Sequence, residues 1–184
     1  MPCQHPDAVP AVVARAPDFE LAIANDIRAV PGAVDRTISA AGFCDALSLG
    51  GGAVPGGGLA AGSGAEDIAA DLRLALAEAL NNVVEHGGGP ASVTVIRLRL
   101  WREAERLTIC IEDDGPPVPA ERLEPHGPER AAVDFASCDL DSLPEGGWGL
   151  MLIAASVDRV HRHRGAGCNL LFLEKRLPET IRAT

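Results

Sequence analysis

The chain has no tyrosine, and two tryptophans and four phenylalanines leave aromatic side chains at only 3% of its 184 residues. Hydrophobic content is nevertheless 47%, so the core has to be assembled from Leu, Ile, Val and Ala. Positive charge is also short, with 16 Lys and Arg against 26 Asp and Glu, a net charge of −10 and a pI near 4.9. Nucleic-acid binders draw affinity from counterions released by cationic side chains, so this balance argues against a direct nucleic-acid partner. No C-x-x-C pair occurs, and the five cysteines (Cys3, Cys44, Cys110, Cys138, Cys168) are scattered and odd in number. They suit reduced thiols rather than a disulfide framework or a zinc site, and Cys3 with His5 is too small a set for a metal. No apolar run approaches the ~20 residues of a membrane helix. The N-terminus lacks the apolar stretch of a signal peptide. The expected location is the cytoplasm, away from membranes, and the length fits one ordinary domain with a core.

What the chain does have is a strong helical period between Glu66 and Gly87. Ile68, Leu72, Leu76, Leu80 and Val84 recur every fourth residue, with Ala79 and Val83 beside them, the pattern of a helix with one buried face. Glu78, Asn82 and His86 recur at the same spacing, about 200° around the helix from Leu76 and Leu80. Such a row is ordinarily a solvated face. Here its neighbours Ala75, Ala79 and Leu80 are small or apolar, which argues against full exposure. Gly87, Gly88, Gly89 and Pro90 then stop the helix.

The other segments are read around that helix. Residues 1–17 mix Pro, Ala and isolated charges without period and are expected to fray. Phe19 to Ile23 is a strand with Phe19, Leu21 and Ile23 on one face. Asn25 or Asp26 then caps a helix towards Ala41, with Ile27, Val30, Val34 and Ile38 inward, and Pro31–Gly32 predicts a kink or a late start. Residues 47–64 are so rich in glycine that a linker is expected. They lack the Lys-Ser/Thr of a phosphate loop and follow no strand.

Ser92 to Leu100 and Arg106 to Asp113 form two strands. On the second, Leu107, Ile109, Ile111 and Asp113 share one parity, so a carboxylate ends a core-facing stripe. It needs a donor there, from the protein or from a ligand amino group. After Gly115 come Pro116, Pro117 and Pro119 and an irregular stretch to Gly146, long enough for a lid, with one short helix near 129–135. Gly146-Gly147-Trp148-Gly149-Leu150 opens a helix with Leu150, Ile153, Ala154 and Val157 inward. Glycines at a helix N-terminus let a phosphate reach free backbone N–H groups. Two strands close the chain around a turn at Gly165–Gly167. Arg159, Arg162, Arg164, Lys175 and Arg176 are expected on the solvated face of the sheet, and the alternating His161 and His163 are not favoured as metal ligands.

Glu78-x-x-x-Asn82 on a helix, Asp113-x-Gly115 at a strand end, a long lid, and Gly147-x-Gly149-Leu150 at a helix N-terminus occur in this order. That order resembles the ATP-binding domain shared by histidine kinases, gyrase, heat-shock chaperones and mismatch-repair ATPases. AEALNNVVEHG, IEDDGPPVP, GGWGLMLI and GCNLLFLEKR most resemble the small anti-sigma-factor serine kinases, and the resemblance runs from about Phe19 to Leu177. It implies an α/β two-layer sandwich, the Bergerat-type fold: a mixed, mostly antiparallel sheet with helices on one face. One domain would span 18–178, with the linker at 47–64 and the ATP lid at 116–146 inside it, and tails at 1–17 and 179–184.

By the same resemblance, Glu78 is the general base and Asn82 the Mg²⁺ ligand, with Asn81 excluded by the family spacing. Asp113 accepts from the adenine amino group, and Gly115 lets the chain approach the base. Gly147 and Gly149, with the amide near Leu150, face the phosphates, and His86 joins the residues that contact the nucleotide. Three departures stand out: Pro117 replaces a second glycine of the D-x-G-x-G box, the glycine-rich segment is long, and Cys168-Asn169 stands where many relatives carry Thr.

The implied activity is that of an ATP-dependent serine/threonine protein kinase acting as an anti-sigma factor. Its implied partners are a sigma factor and a small anti-sigma-factor antagonist, with Mg²⁺ and ATP as cofactors and a homodimer as the assembly. Two other readings compete. One is a nucleotide-gated binding module, which has no need of a base at Glu78. The other is a histidine-kinase ATPase domain, which is expected to follow a helical hairpin bearing a phospho-acceptor His, whereas His5 lies in a Pro-rich stretch.

Overall fold

The computed structural model describes residues 9–43, 63–86, 95–115, 148–165 and 167–182. Most of the glycine-rich linker, the lid at 116–146 with the short helix near 129–135, and Gly147 lie outside the described residues. The elements run β1 (Phe19–Ala24), α1 (Val30–Ala40), α2 (Ser63–His86), β2 (Val95–Arg102), β3 (Arg106–Asp113), α3 (Trp148–Ser156), β4 (Arg159–Gly165) and β5 (Cys168–Arg176). The strands form one sheet in the order β1-β2-β3-β5-β4, and each pairing is antiparallel. Where a mixed sheet was implied, the described strands are therefore antiparallel throughout.

Strand alternation and the helical period converge on one core. Leu21 of β1, Ile96, Leu98 and Leu100 of β2, Leu107, Ile109 and Ile111 of β3, and Leu173 of β5 point to one side of the sheet. There they meet Val34 and Ile38 of α1, Leu72, Leu76 and Leu80 of α2, and Ile153 of α3. Each fully buried aliphatic side chain contributes about 1.5–3 kcal/mol, which lets a chain nearly without aromatics hold a two-layer α/β fold. α2 starts three residues earlier than its apolar period suggests, at Ser63.

α1 starts late, as Pro31 predicts. Asp26 accepts from the Arg28 N–H at 2.9 Å and caps a single 3₁₀ turn, Ile27–Ala29. Pro31 then sits in the first turn of α1, where its missing N–H breaks no helical bond. Ile27 consequently lies outside, 52% exposed, rather than on the inner face. Ala154 of α3 is exposed as well, while Ile153 and Val157 are buried as expected.

The second face of the sheet is not bare. Trp101, Cys110 and Phe172 form a small buried cluster there, joined by Leu170, Val12 and Val13. A 3₁₀ turn at Ala11–Ala14 carries the two valines, and the Trp101 Nε1–H donates to the Arg15 carbonyl at 3.1 Å. Residues 9–17 thus cover an apolar patch left by β2, β3 and β5, where the whole of 1–17 was expected to fray; residues 1–8 lie outside the described residues. At the other terminus, Glu179–Arg182 form a helical turn that buries Ile181 in the main core, where a free tail was expected.

The basic residues of the last two strands divide between the two faces. Lys175 pairs in register with Leu107, so it points into the helix layer. It donates to Asp71 of α2 and to the Ser156 carbonyl of α3, both at 2.7 Å. Arg162 lies opposite Leu171 on that same side, half-buried, and burial lowers its guanidinium pKa. Arg164 lies there too, two residues on. Arg159 and Arg176 keep the face away from the helices. His161 and His163 also lie on that face, and no group of three or more metal-ligating side chains occurs among the described residues.

Candidate functional site

The polar row of α2 lies under α3. Leu72, Leu76 and Leu80 take the core-facing side of α2, and Ala75 and Ala79 are also buried, which turns Glu78 and Asn82 towards the start of α3. There the chain carries Gly149. A Cβ built on Gly149 would stand 2.9 Å from Glu78 Oε2, 3.3 Å from Asn82 Nδ2 and 3.4 Å from Asn82 Oδ1. Only a residue without a side chain lets this helix start settle onto the carboxylate and carboxamide undisturbed.

Glu78 and Asn82 are each half-buried, and the Asn82 Nδ2 atom is fully buried with no hydrogen-bond partner among the described residues. An orphaned buried donor costs about 1–3 kcal/mol, and an anionic acceptor placed beside it would remove that cost. The first-turn amides of α3, around Gly149 and Leu150, have no intrahelical carbonyl to bond and carry the positive end of the helix dipole. The oxygens of Glu78 and Asn82 are the hard donors that Mg²⁺ takes. Phosphate oxygens and Mg²⁺ therefore fit the residues present. The Leu150 side chain packs on the core, leaving its backbone to serve the site. His86, the third member of the row, is exposed at the last turn of α2 and is not part of the Glu78–Asn82–Gly149 contact. Gly147 lies outside the described residues.

Asp113 closes the second half of the site. It pairs in register with Asn169 of β5, which pairs with Arg164 of β4, so one cross-strand rung sets three polar side chains on the helix-facing side. Asp113 Oδ1 accepts from the Asn169 amide at 2.8 Å and from the Gly115 N–H at 2.9 Å. Arg164 Nη1 donates to Asn169 Oδ1 and, at 3.4 Å, to the carbonyl of the buried Gly115. The Asn169 amide approaches that carbonyl at 3.3 Å. The donor that the parity of β3 demands is thus supplied by the protein to one carboxylate oxygen. The other oxygen has no partner among the described residues.

Sequence reading noticed Asn169 only as a departure from Thr and placed Arg164 on the solvated face. The alternation of β4 and β5 contained the signal, but it needed the register of three strands to become visible.

Residues 59–175 match the family described as the histidine kinase-like ATPase domain, a span that holds Glu78, Asn82, Asp113, Gly115, Gly149 and Asn169. Among solved structures, the chain is similar to the mycobacterial sensor histidine kinase MprB at 20% identity, over 59% of this chain and 73% of that one, with a TM-score of 0.36. No curated protein matches.

Proposed function

The chain belongs to the histidine kinase-like ATPase domain family, and from that premise we propose that it is an ATP-dependent serine/threonine protein kinase acting as an anti-sigma factor. It would phosphorylate a small antagonist protein and hold a sigma factor. The observation that carries the reading is the pairing of Glu78 with Asn82, one helical turn apart and pressed beneath Gly149. Asn82 would hold Mg²⁺ through Oδ1 while its buried amide donates to a phosphate oxygen. The bound ion supplies charge screening across the phosphates.

Glu78 takes the proton of the attacking serine hydroxyl as that oxygen bonds to the γ-phosphorus and the bond to the bridging oxygen of ADP breaks. Asp113 accepts from the adenine amino group through its second oxygen. A chain that only changed shape on binding nucleotide would have no use for a half-buried carboxylate held in this position, which favours the enzyme over the gated module. The sigma factor, the antagonist and the homodimer come from the resemblance of the four motifs to anti-sigma kinases. A cytoplasmic location follows from the proposed partner. No described helix is long and apolar enough to cross a membrane.

The test captures partners from the native lysate with and without Mg-ATP, then incubates them with the chain and γ-labelled ATP. The expected result is an acid-stable label on serine or threonine of a small captured protein. Acid-labile label on histidine would instead mark a histidine kinase, and no transfer to any captured partner would leave the gated module.

A further inference from the structure

We infer that Asn169 and Arg164 are positioning residues that lock the Asp113 carboxylate to receive a purine amino group, and that they thereby set a preference for ATP over a 6-oxopurine triphosphate. This rests on the ATP site proposed above. The chemistry of the rung fixes the orientation of the Asn169 amide. With Oδ1 towards the Arg164 guanidinium and Nδ2 towards Asp113, each contact joins a donor to an acceptor. The flipped amide would set oxygen against carboxylate and N–H against guanidinium, two mismatches at once.

Arg164 therefore acts on Asp113 through Asn169. It holds the carboxamide oxygen, so that the carboxamide nitrogen faces Asp113 Oδ1 and the Gly115 carbonyl beside it. The Gly115 N–H donates to the same Asp113 oxygen at 2.9 Å. Two donors on Oδ1 fix the carboxylate plane and leave Oδ2, which has no partner among the described residues, as its remaining acceptor. An ionised carboxylate only accepts. A 6-amino group satisfies it, whereas a 6-oxo group meets it oxygen to oxygen. Sites that hydrogen-bond one such group reject the analogue lacking it because a desolvated polar atom is left unpaired. That rejection works only while the carboxylate cannot turn away. Asp113 is half-buried, so without Asn169 it can rotate towards water and tolerate the oxo group.

The experiment is calorimetric titration of the full chain with Mg-ATP and with Mg-ITP, in which 6-oxo replaces the 6-amino group and N1 becomes an N–H donor in place of an acceptor. It compares the parent, Asn169→Leu and Arg164→Met, with thermal melting of each. The parent is expected to bind ATP at least about tenfold tighter, equivalent to about 1.4 kcal/mol. In Asn169→Leu the ratio should fall to within about threefold, and in Arg164→Met it should fall part of the way. A purely structural role would weaken both nucleotides alike and leave the ratio intact.

Arg164 is exposed, so its variant carries the test even if Asn169→Leu fails to fold. A parent that prefers ATP alongside variants that keep the ratio overturns the inference alone, as does a parent that binds both nucleotides equally. A parent that binds neither overturns the ATP reading, and the inference falls with it.

Discussion

Placing a methyl group on Gly149 should separate the chemistry of this site from its stability. Alanine meets no backbone obstacle, since the positive-φ glycines among the described residues are Gly42 and Gly167. Its Cβ would lie 2.9 Å from Glu78 Oε2 and 3.3 Å from Asn82 Nδ2, against a comfortable separation of roughly 3.5 Å. The carboxylate is the end of a flexible side chain, so it retreats by about half an ångström or leaves its rotamer at a cost of roughly 0.5–1.5 kcal/mol. A misplacement of about 1 Å at a reacting group costs on the order of 10²-fold in rate. Half that displacement predicts about a tenfold loss of phosphoryl transfer from γ-labelled ATP. Alanine also favours the helix over glycine by about 0.5–1 kcal/mol in a helix interior, and by less in a first turn. The melting temperature of Gly149→Ala should therefore stay near the parent's or fall slightly, while turnover drops about tenfold. A folded Gly149→Ala protein with the parent's turnover would refute the claim that this close contact places the Glu78 carboxylate.

Asp113→Asn should weaken Mg-ATP binding at least tenfold, about 1.4 kcal/mol, because the oxygen that must keep accepting from Asn169 and Gly115 forces the new amide nitrogen towards the adenine amino donor. Calorimetry showing parent affinity in the folded variant would remove Asp113 from the site. Lys175→Met should lower the urea midpoint by the equivalent of about 1–2 kcal/mol, since it strips two 2.7 Å contacts that tie α2 and α3 to β5. An unchanged midpoint would show that those contacts are not needed to seat the helices. Burial pushes the Cys110 thiol up from 9.0 to about 12, so the unfolded thiol ionises first. Stability from this group is whole below about pH 9 and is lost as pH climbs towards 12. Urea midpoints between about pH 8 and 10.5 should fall more steeply for the parent than for Cys110→Ala, and parallel slopes would contradict the buried neutral thiol.

The parts of this molecule legible in its sequence are those governed by local period. α2 announces itself through Ile68, Leu72, Leu76 and Leu80, and Asp113 through its parity with Ile109 and Ile111 on β3. Glu78 and Asn82 followed from a single helix, because four-residue spacing fixes their common face. The parts that escaped depend on pairings between distant segments. Lys175 reads as one more charge on a basic strand until β5 is registered against β3, which sends it towards Asp71. Asn169 meets Asp113, and Arg164 meets Asn169, only through the same three-strand register. Val12 and Val13 show no period, and their place is decided by the apolar patch of Trp101 and Phe172 that they help to cover rather than by their own sequence. Ile27 shows a different limit, where a capping bond donated by the Arg28 N–H to the Asp26 carboxylate outweighed an apolar position. Gly149 was legible as a place where phosphate can approach a helix start, but its contact with Glu78 and Asn82 needed the packing of α3 on α2.

Phosphoryl transfer by Glu78→Gln, run beside Asn82→Ala with Mg-ATP binding measured on both, tests the kinase assignment most directly. Glutamine keeps the shape of Glu78 and removes its capacity to take a proton. The predicted result is transfer reduced by about 10²-fold or more with nucleotide affinity little changed, while Asn82→Ala loses Mg²⁺-dependent binding itself. Transfer at the parent rate in Glu78→Gln would contradict the account.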